Sequence, residues 1–124
     1  MKRAAEGSFP PAARLRSKGD FHRVQSLGKR LYARHFLLVT AEAEFDQSRL
    51  GITVTKKVEA RAVFRNRLKR RLREIFRTTR SRFVRPLDII VIARREAAGC
   101  DLAEIRREIL GTLNREGLLK PAES

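Results

Sequence analysis

The seventeen residues RAVFRNRLKRRLREIFR, 61–77, constrain the fold of this chain more than any other stretch. They hold eight Arg or Lys against a single Glu. At about 100° per residue, Leu68, Leu72, Ile75 and Phe76, with Phe83 beyond them, share one arc of the helix that the spacing predicts over 62–83. Lys69, Arg70, Arg73, Arg77 and Arg80 take the opposite and flanking arc, together with Asn66 and Arg67. Such a helix must be covered along its apolar stripe and left in solvent everywhere else. Like charges at this density repel one another and cost stability, so a partner outside the fold has to compensate for them.

The rest of the composition says what that partner is. Of 124 residues, 29 are Lys or Arg and 14 are Asp or Glu, a formal charge of +15. The excess is localised: Lys56 to Arg85 holds thirteen basic residues and two acidic ones, whereas Asp101 to Ser124 holds four basic and five acidic. A cationic surface of this kind seeks a polyanion. Arginine outnumbers lysine ten to three across 56–85, and arginine makes bidentate phosphate contacts that lysine cannot. A solvated helix mixes signs to gain pairs one turn apart, and this one barely does. A membrane surface fits poorly, because the apolar stripe lacks Trp and is needed for the core. Charge alone does not distinguish DNA from RNA.

Elsewhere the pattern is that of one α+β domain. Residues 1–14 are rich in Ala, Pro and Gly and read as a disordered tail, 15–118 as the folded domain and 119–124 as a C-terminal tail. Phe21, Val24, Leu27 and Leu31 recur at helical steps after Asp20, the expected N-cap, and Gly28 is placed to end that helix. Residues 35–45 and 49–58 read as strands joined by the turn residues 46–48, an antiparallel hairpin, with Ile52 and Val54 on one face and Thr53 and Thr55 on the other. A further strand is expected within 29–45. LDIIVIA, 87–93, is apolar on both faces and reads as a buried strand; it is far too short to span a bilayer. Asp101 caps a last helix with Glu104 as its capping-box partner, and Leu102, Ile105, Ile109 and Leu113 form its apolar face. The N-terminus has no long apolar run of the signal-peptide kind, so a cytoplasmic protein is expected.

Candidate chemistry is sparse. Cys100 is the only cysteine, which precludes an intramolecular disulfide and a cysteine-based metal site. No Gly-rich phosphate loop and no nucleophile elbow is present. His22 and His35 have no His or Cys neighbours at metal-ligand spacing; His22 reads as a helix-surface residue and His35 as the start of a strand. By itself the chain does not read as a self-sufficient enzyme.

The segment GITVTKKVEARAVFRNRLKRRLRE, 51–74, resembles the signature of the protein subunit of bacterial ribonuclease P. That signature is a strand ending in Lys-Lys (Lys56-Lys57), a short linker, Arg-Asn-Arg (Arg65-Asn66-Arg67), Lys-Arg (Lys69-Arg70) and Arg-Glu (Arg73-Glu74). RLRSKGDFHRVQSLGKR resembles the family's opening, and LDIIVIAR its Asp-x-Val-x-Ile-Ala-Arg strand, so the likeness spans about 15–113. It implies a mostly antiparallel sheet packed in two layers with helices, in the order α-β-β-β-α-β-α, resembling a ribosomal-protein domain and including a left-handed crossover. It also implies a function: an assistant to a catalytic RNA that, with bound magnesium, removes the 5′ leader of precursor tRNA. No catalytic side chain and no cofactor is then expected on the protein, and no obligate protein partner. The resemblance assigns Lys56, Arg65, Asn66, Arg67, Lys69, Arg70 and Arg73 to the catalytic RNA. To the leader it assigns Phe21, Gln25, Leu37, Val39, Thr53, Thr55 and Lys57. Steps of four on a helix and of two on a strand keep each of these sets on one face, and a groove of aromatic, hydroxyl and cation suits a single strand. Gln25 and Val39 stand where relatives often carry aromatics, and Glu59 where Gly is common. The competing reading is a structural RNA-binding protein of ribosomal type, which needs the basic helix but not the groove.

Overall fold

A computed structural model describes residues 13–15 and 17–121; most of the tail expected over 1–14 lies outside them. Three helices and four strands follow in the order α1 (Lys18–Leu27), β1 (Lys29–Tyr32), β2 (Phe36–Glu42), β3 (Arg49–Thr53), α2 (Ala62–Thr79), β4 (Leu87–Ala93) and α3 (Leu102–Arg115). The expected element order and the extra strand within 29–45 are both present.

The hairpin expected between 35–45 and 49–58 does not form. The strand order is β1-β2-β4-β3: β4 enters between the two, antiparallel to β2 and parallel to β3. The loop between β2 and β3 passes over the start of β4, where Ala43 donates to the Pro86 carbonyl at 3.2 Å and the Ser48 hydroxyl accepts from the Leu87 amide at 3.0 Å. The physical reason lies in β4 itself. A strand apolar on both faces gains most from the centre of a sheet, where neither face meets water. All of its residues are buried except half-buried Ile92.

Alternation along the strands divides the interior in two. Leu31, Leu38, Leu50, Ile89 and Val91 face Leu68, Leu72, Ile75 and Phe76 of α2 and Ile105, Ile109 and Leu113 of α3, forming the principal core. The opposite face offers Val39 and Ile90, which pack with Val24 of α1 and with Leu15. Gly28 ends α1, its amide donating to the Val24 carbonyl at 2.7 Å. A Cβ there would lie 2.7 Å from Val39 Cγ1, so the absent side chain is what lets the helix close onto the sheet.

Element ends differ from expectation where side chains compete for the backbone. Ser17, not Asp20, caps α1, its hydroxyl accepting from the Asp20 amide at 3.0 Å. The basic helix stops at Thr79 and gives way to a 3-10 turn over Arg80–Arg82. Phe83 leaves the helix but stays in the core, edge-on to Phe76 at 5.8 Å between ring centroids. Strand β3 ends at Thr53, and a turn closes behind it through the Val58 and Glu59 amides on the Thr55 carbonyl. Beyond α3, Leu119 bridges to Phe83 and the Lys120 amide donates to the Arg82 carbonyl at 2.7 Å, so these residues lie against the body. The capping box of Asp101 and Glu104 is present as expected.

Candidate nucleic-acid interface

Two surfaces take shape from these elements. The first is the outer face of α2, whose inner stripe of Leu68, Leu72, Ile75, Phe76 and Thr79 is buried. Among the described residues, Arg77 is the one cation of this helix with a carboxylate partner, Glu74 one turn away at 2.5 Å. Among the described residues no carboxylate pairs with Arg65, Arg67, Lys69, Arg70, Arg71 or Arg73. Asn66, Arg67 and Arg70 are exposed, and Lys56 is exposed in the turn before the helix. The Arg67 guanidinium lies 4.5 Å from the centre of the Phe64 ring, and that of Arg61 lies 4.1 Å from the same ring.

Arg65 is occupied differently. Its Nη1 donates to the carbonyls of Glu59 and Ala60 at 2.9 and 2.8 Å, which ties the linker to the helix start. Glu59 in turn accepts from the side chain and the backbone of Arg61. These bonds, the side-chain ones foremost, hold its carboxyl down at about 2. Arg71 Nη1 is bound to the Cys100 carbonyl at 2.6 Å, joining α2 to the approach to α3. Lys69 and Arg73 reach the side of the helix that faces α1, where they line a groove of about 220 Å³ with Arg14, Leu15, Phe21, Leu50 and Ile52. Burial, with the charges of Arg14 and Arg70, pushes the Arg73 guanidinium below its ordinary pKa.

The second surface is the sheet face beneath α1. Its rows run across the strands. The first holds Ala41, Asp88 and Arg49; the second Arg30, Val39, Ile90 and Gly51; the third Tyr32, Leu37, Ile92 and Thr53. α1 covers the first and, apart from exposed Arg30, the second. Asp88 has no exposed surface and receives Arg49 Nη2 at 2.9 Å, Arg49 Nε at 3.1 Å and the Arg23 guanidinium of α1. Arg49 also meets Asp20 at 3.5 Å, and these carboxylates raise its pKa, Asp88 foremost. This ionic knot anchors α1 at one end, and Val24 and Gly28 anchor it at the other. Phe21 sits on Gly51, where any Cβ would come within 2.6 Å of the ring.

The third row is left open. Leu37, Ile92 and Thr53 are half-buried, Phe21 is half-buried beside them, and Gln25 is exposed one helical turn on. Leu37 and Thr53 share this row, Phe21 and Leu37 pack against the same Val24, Val39 and Ile90 cluster, and Gln25 lies one turn beyond Phe21 on α1. Val39 is not among them: it is fully buried under α1 and serves as the floor of the groove. Thr55 and Lys57 are exposed in the turn after β3, so strand alternation does not fix their direction. Sequence reasoning missed Ile92, whose strand reads as buried throughout, and the knot around Asp88, because an isolated Asp in an apolar strand names no partner.

His35, a strand-start residue by sequence, is held by Glu108 of α3, which accepts from its amide and lies 2.9 Å from its Nδ1. His22 is exposed. Cys100 is buried, and burial foremost raises the pKa of its thiol. Among the described residues no three His, Cys, Asp or Glu side chains are grouped to hold a metal, and no helix is long and apolar enough to cross a membrane.

Comparison with known proteins fits this geometry. The sequence profile of the Ribonuclease P family matches residues 9–117. The ribonuclease P protein component of Syntrophus aciditrophicus is 39% identical over 103 residues, 83% of this chain and 86% of that one. That of Desulfatibacillum aliphaticivorans is 46% identical over 88 residues, 71% and 74% of the two chains. Among solved structures, the Staphylococcus aureus RNase P protein matches with a TM-score of 0.78 at 34% identity, over 87% of this chain and 98% of that one. The Thermotoga maritima RNase P protein matches with a TM-score of 0.73 at 36% identity, over 82% and 96%.

Proposed function

Because this chain belongs to the ribonuclease P protein family, we propose that its two surfaces divide the work of that endoribonuclease between docking and substrate capture. The exposed face of α2 seats the protein on the RNA subunit, with Lys56, Asn66, Arg67 and Arg70 meeting phosphates and Lys69 and Arg73 facing the groove. Arg65 contributes by holding the linker and offers its remaining donors to the RNA. The open row beside α1 receives the single-stranded 5′ leader of precursor tRNA, with Phe21, Gln25, Leu37 and Thr53 as its bed, Thr55 and Lys57 at its mouth and Val39 as support beneath.

The protein's share is then positional and electrostatic. Substrate and RNA subunit are both polyanions, and a cationic wall between them lowers their repulsion while the leader is held in register. Hydrolysis itself falls to the RNA subunit and the magnesium ions it binds. The reaction removes the leader and leaves the mature tRNA 5′ end, in the cytoplasm where precursors are processed. A ribosomal-type structural role is not favoured, given the family.

The observation that carries this reading is the cationic face of α2, where Arg67, Lys69, Arg70 and Arg73 have no carboxylate partner among the described residues. Salt dependence tests it. Each lost phosphate contact lowers the slope of log K against log salt by about 0.7–0.9, so replacing Arg67 and Arg70 together by Ala is expected to flatten the slope for RNA-subunit binding by roughly 1.4–1.8. An unchanged slope would take these residues off the interface. Arg65 is a poorer probe, because its loss also frees two carbonyls.

A further inference from the structure

The open row does not end at Leu37. Its fourth member is Tyr32, the last residue of β1, paired with Leu37 in the register of β1 and β2. Its neighbour Leu31 points into the α2–α3 core, so alternation sends the Tyr32 ring to the α1 side. The ring is 62% exposed. A single exposed aromatic is common, but this ring continues the half-buried apolar row of Leu37 and Ile92 across the sheet, and contiguous apolar surface of that kind marks a contact site. Phe45, the other strongly exposed aromatic among the described residues, lies at the far end of this face against Arg49, 5.1 Å away.

The surroundings of Tyr32 are those of a single-strand site. Arg30 is two residues back on the same strand, hence on the same face, and is exposed. Arg34 is exposed in the turn that follows. Arg94 crosses to this turn, its Nη1 donating to the Ala33 carbonyl at 3.1 Å. An aromatic face flanked by cations is what binds a base and its phosphates without regard to sequence. The rest of the bed is poor in such faces: Phe21 rests on Gly51, Gln25 is an amide, and Val39 is buried. From Thr53 to Tyr32 the row crosses three strand spacings, roughly 14 Å.

We propose that Tyr32 is a leader-binding residue: a base of the single-stranded 5′ leader stacks on its ring at the β1 end of the open row, with Arg30 beside the backbone. The leader then runs across the strands from β3 to β1, and the aromatic contact missing at Gln25 and Val39 is supplied one strand away. This rests on the leader reading above and adds a direction and an end to it.

The test uses the assembled protein–RNA complex with precursor tRNAs whose leaders are shortened one nucleotide at a time, with mature tRNA as reference. Tyr32→Ala is expected to weaken binding of long-leader precursor by roughly fivefold or more, the lower end of what one base–aromatic stack contributes. Tyr32→Phe should restore it, and mature tRNA should bind all forms alike. Phe21→Leu should also weaken leader binding, but its effect should vanish at a different leader length from that of Tyr32→Ala. The chain has one Tyr and no Trp, so tyrosine emission reports this ring alone. It should fall when leader-bearing precursor is added and not when mature tRNA is added. If Tyr32→Ala changes nothing, or weakens both ligands equally, while Phe21→Leu still discriminates, Tyr32 is off the path and the leader groove stands without it. If neither variant discriminates, the leader reading itself fails.

Discussion

Asp88 carries its charge to a place with no exposed surface, and two guanidiniums close on it. Removing one partner of a buried pair leaves the others desolvated and uncompensated, at a cost of about 3–5 kcal/mol. Asp88→Asn keeps the shape and removes the charge, so it is expected to lower the unfolding free energy by an amount near the bottom of that range, about 3 kcal/mol. Equilibrium denaturation checks it, and a loss well under 1 kcal/mol would make the knot no more than a surface pair. The same scale separates residues that look alike in the sequence. Leu37 and Val39 are two apart on β2 and point the same way, yet α1 covers only Val39. Arg65 and Arg67 belong to one motif, yet the first is bound to two carbonyls and the second lies over a ring and faces solvent.

At the scale of elements, α2 begins against its own dipole. Its first turn holds no acidic residue and its N-cap, Arg61, makes no side-chain capping bond, although helix starts favour negative charge. Glu59, just outside, supplies the missing anion by chelating Arg61. A carboxyl held down at about 2 favours the folded form above its ordinary pKa near 4.5, and that contribution is lost as the pH falls through about 2. The carboxyl carbon of Glu59, followed by NMR, is therefore expected to titrate with a midpoint near 2 and to move back toward 4.5 in Arg61→Ala. A midpoint already at the ordinary value would mean that the chelate does not persist in solution. The sheet shows the limit of local patterning. Alternation in 49–58 told which side chains face the core, but not that β4 would take the seat beside β2, because hydrogen-bond partners between strands are chosen by the whole sheet.

For the whole molecule, +15 on 124 residues opposes the compact state through self-repulsion. Raising ionic strength from about 0.01 to 0.15 M shortens the screening length from about 30 to 8 Å. The melting temperature of the free protein is expected to rise by several degrees over that range, and saturating RNA subunit should raise it further by mass action. A melting temperature that falls with salt would mean that favourable pairs outweigh the repulsion. Much of this protein was legible in the sequence: the amphipathic α2, the buried β4 and the capping box at Asp101. Each is written in spacing along a few neighbouring residues, where helix and strand periods act directly. The tertiary structure alone decided the strand order, the burial of Val39, the knot at Asp88, and the row that joins Tyr32 to Thr53 across four strands. Those depend on which distant segments meet, and packing of the whole chain settles that, because local periodicity orients a side chain without naming what will lie against it.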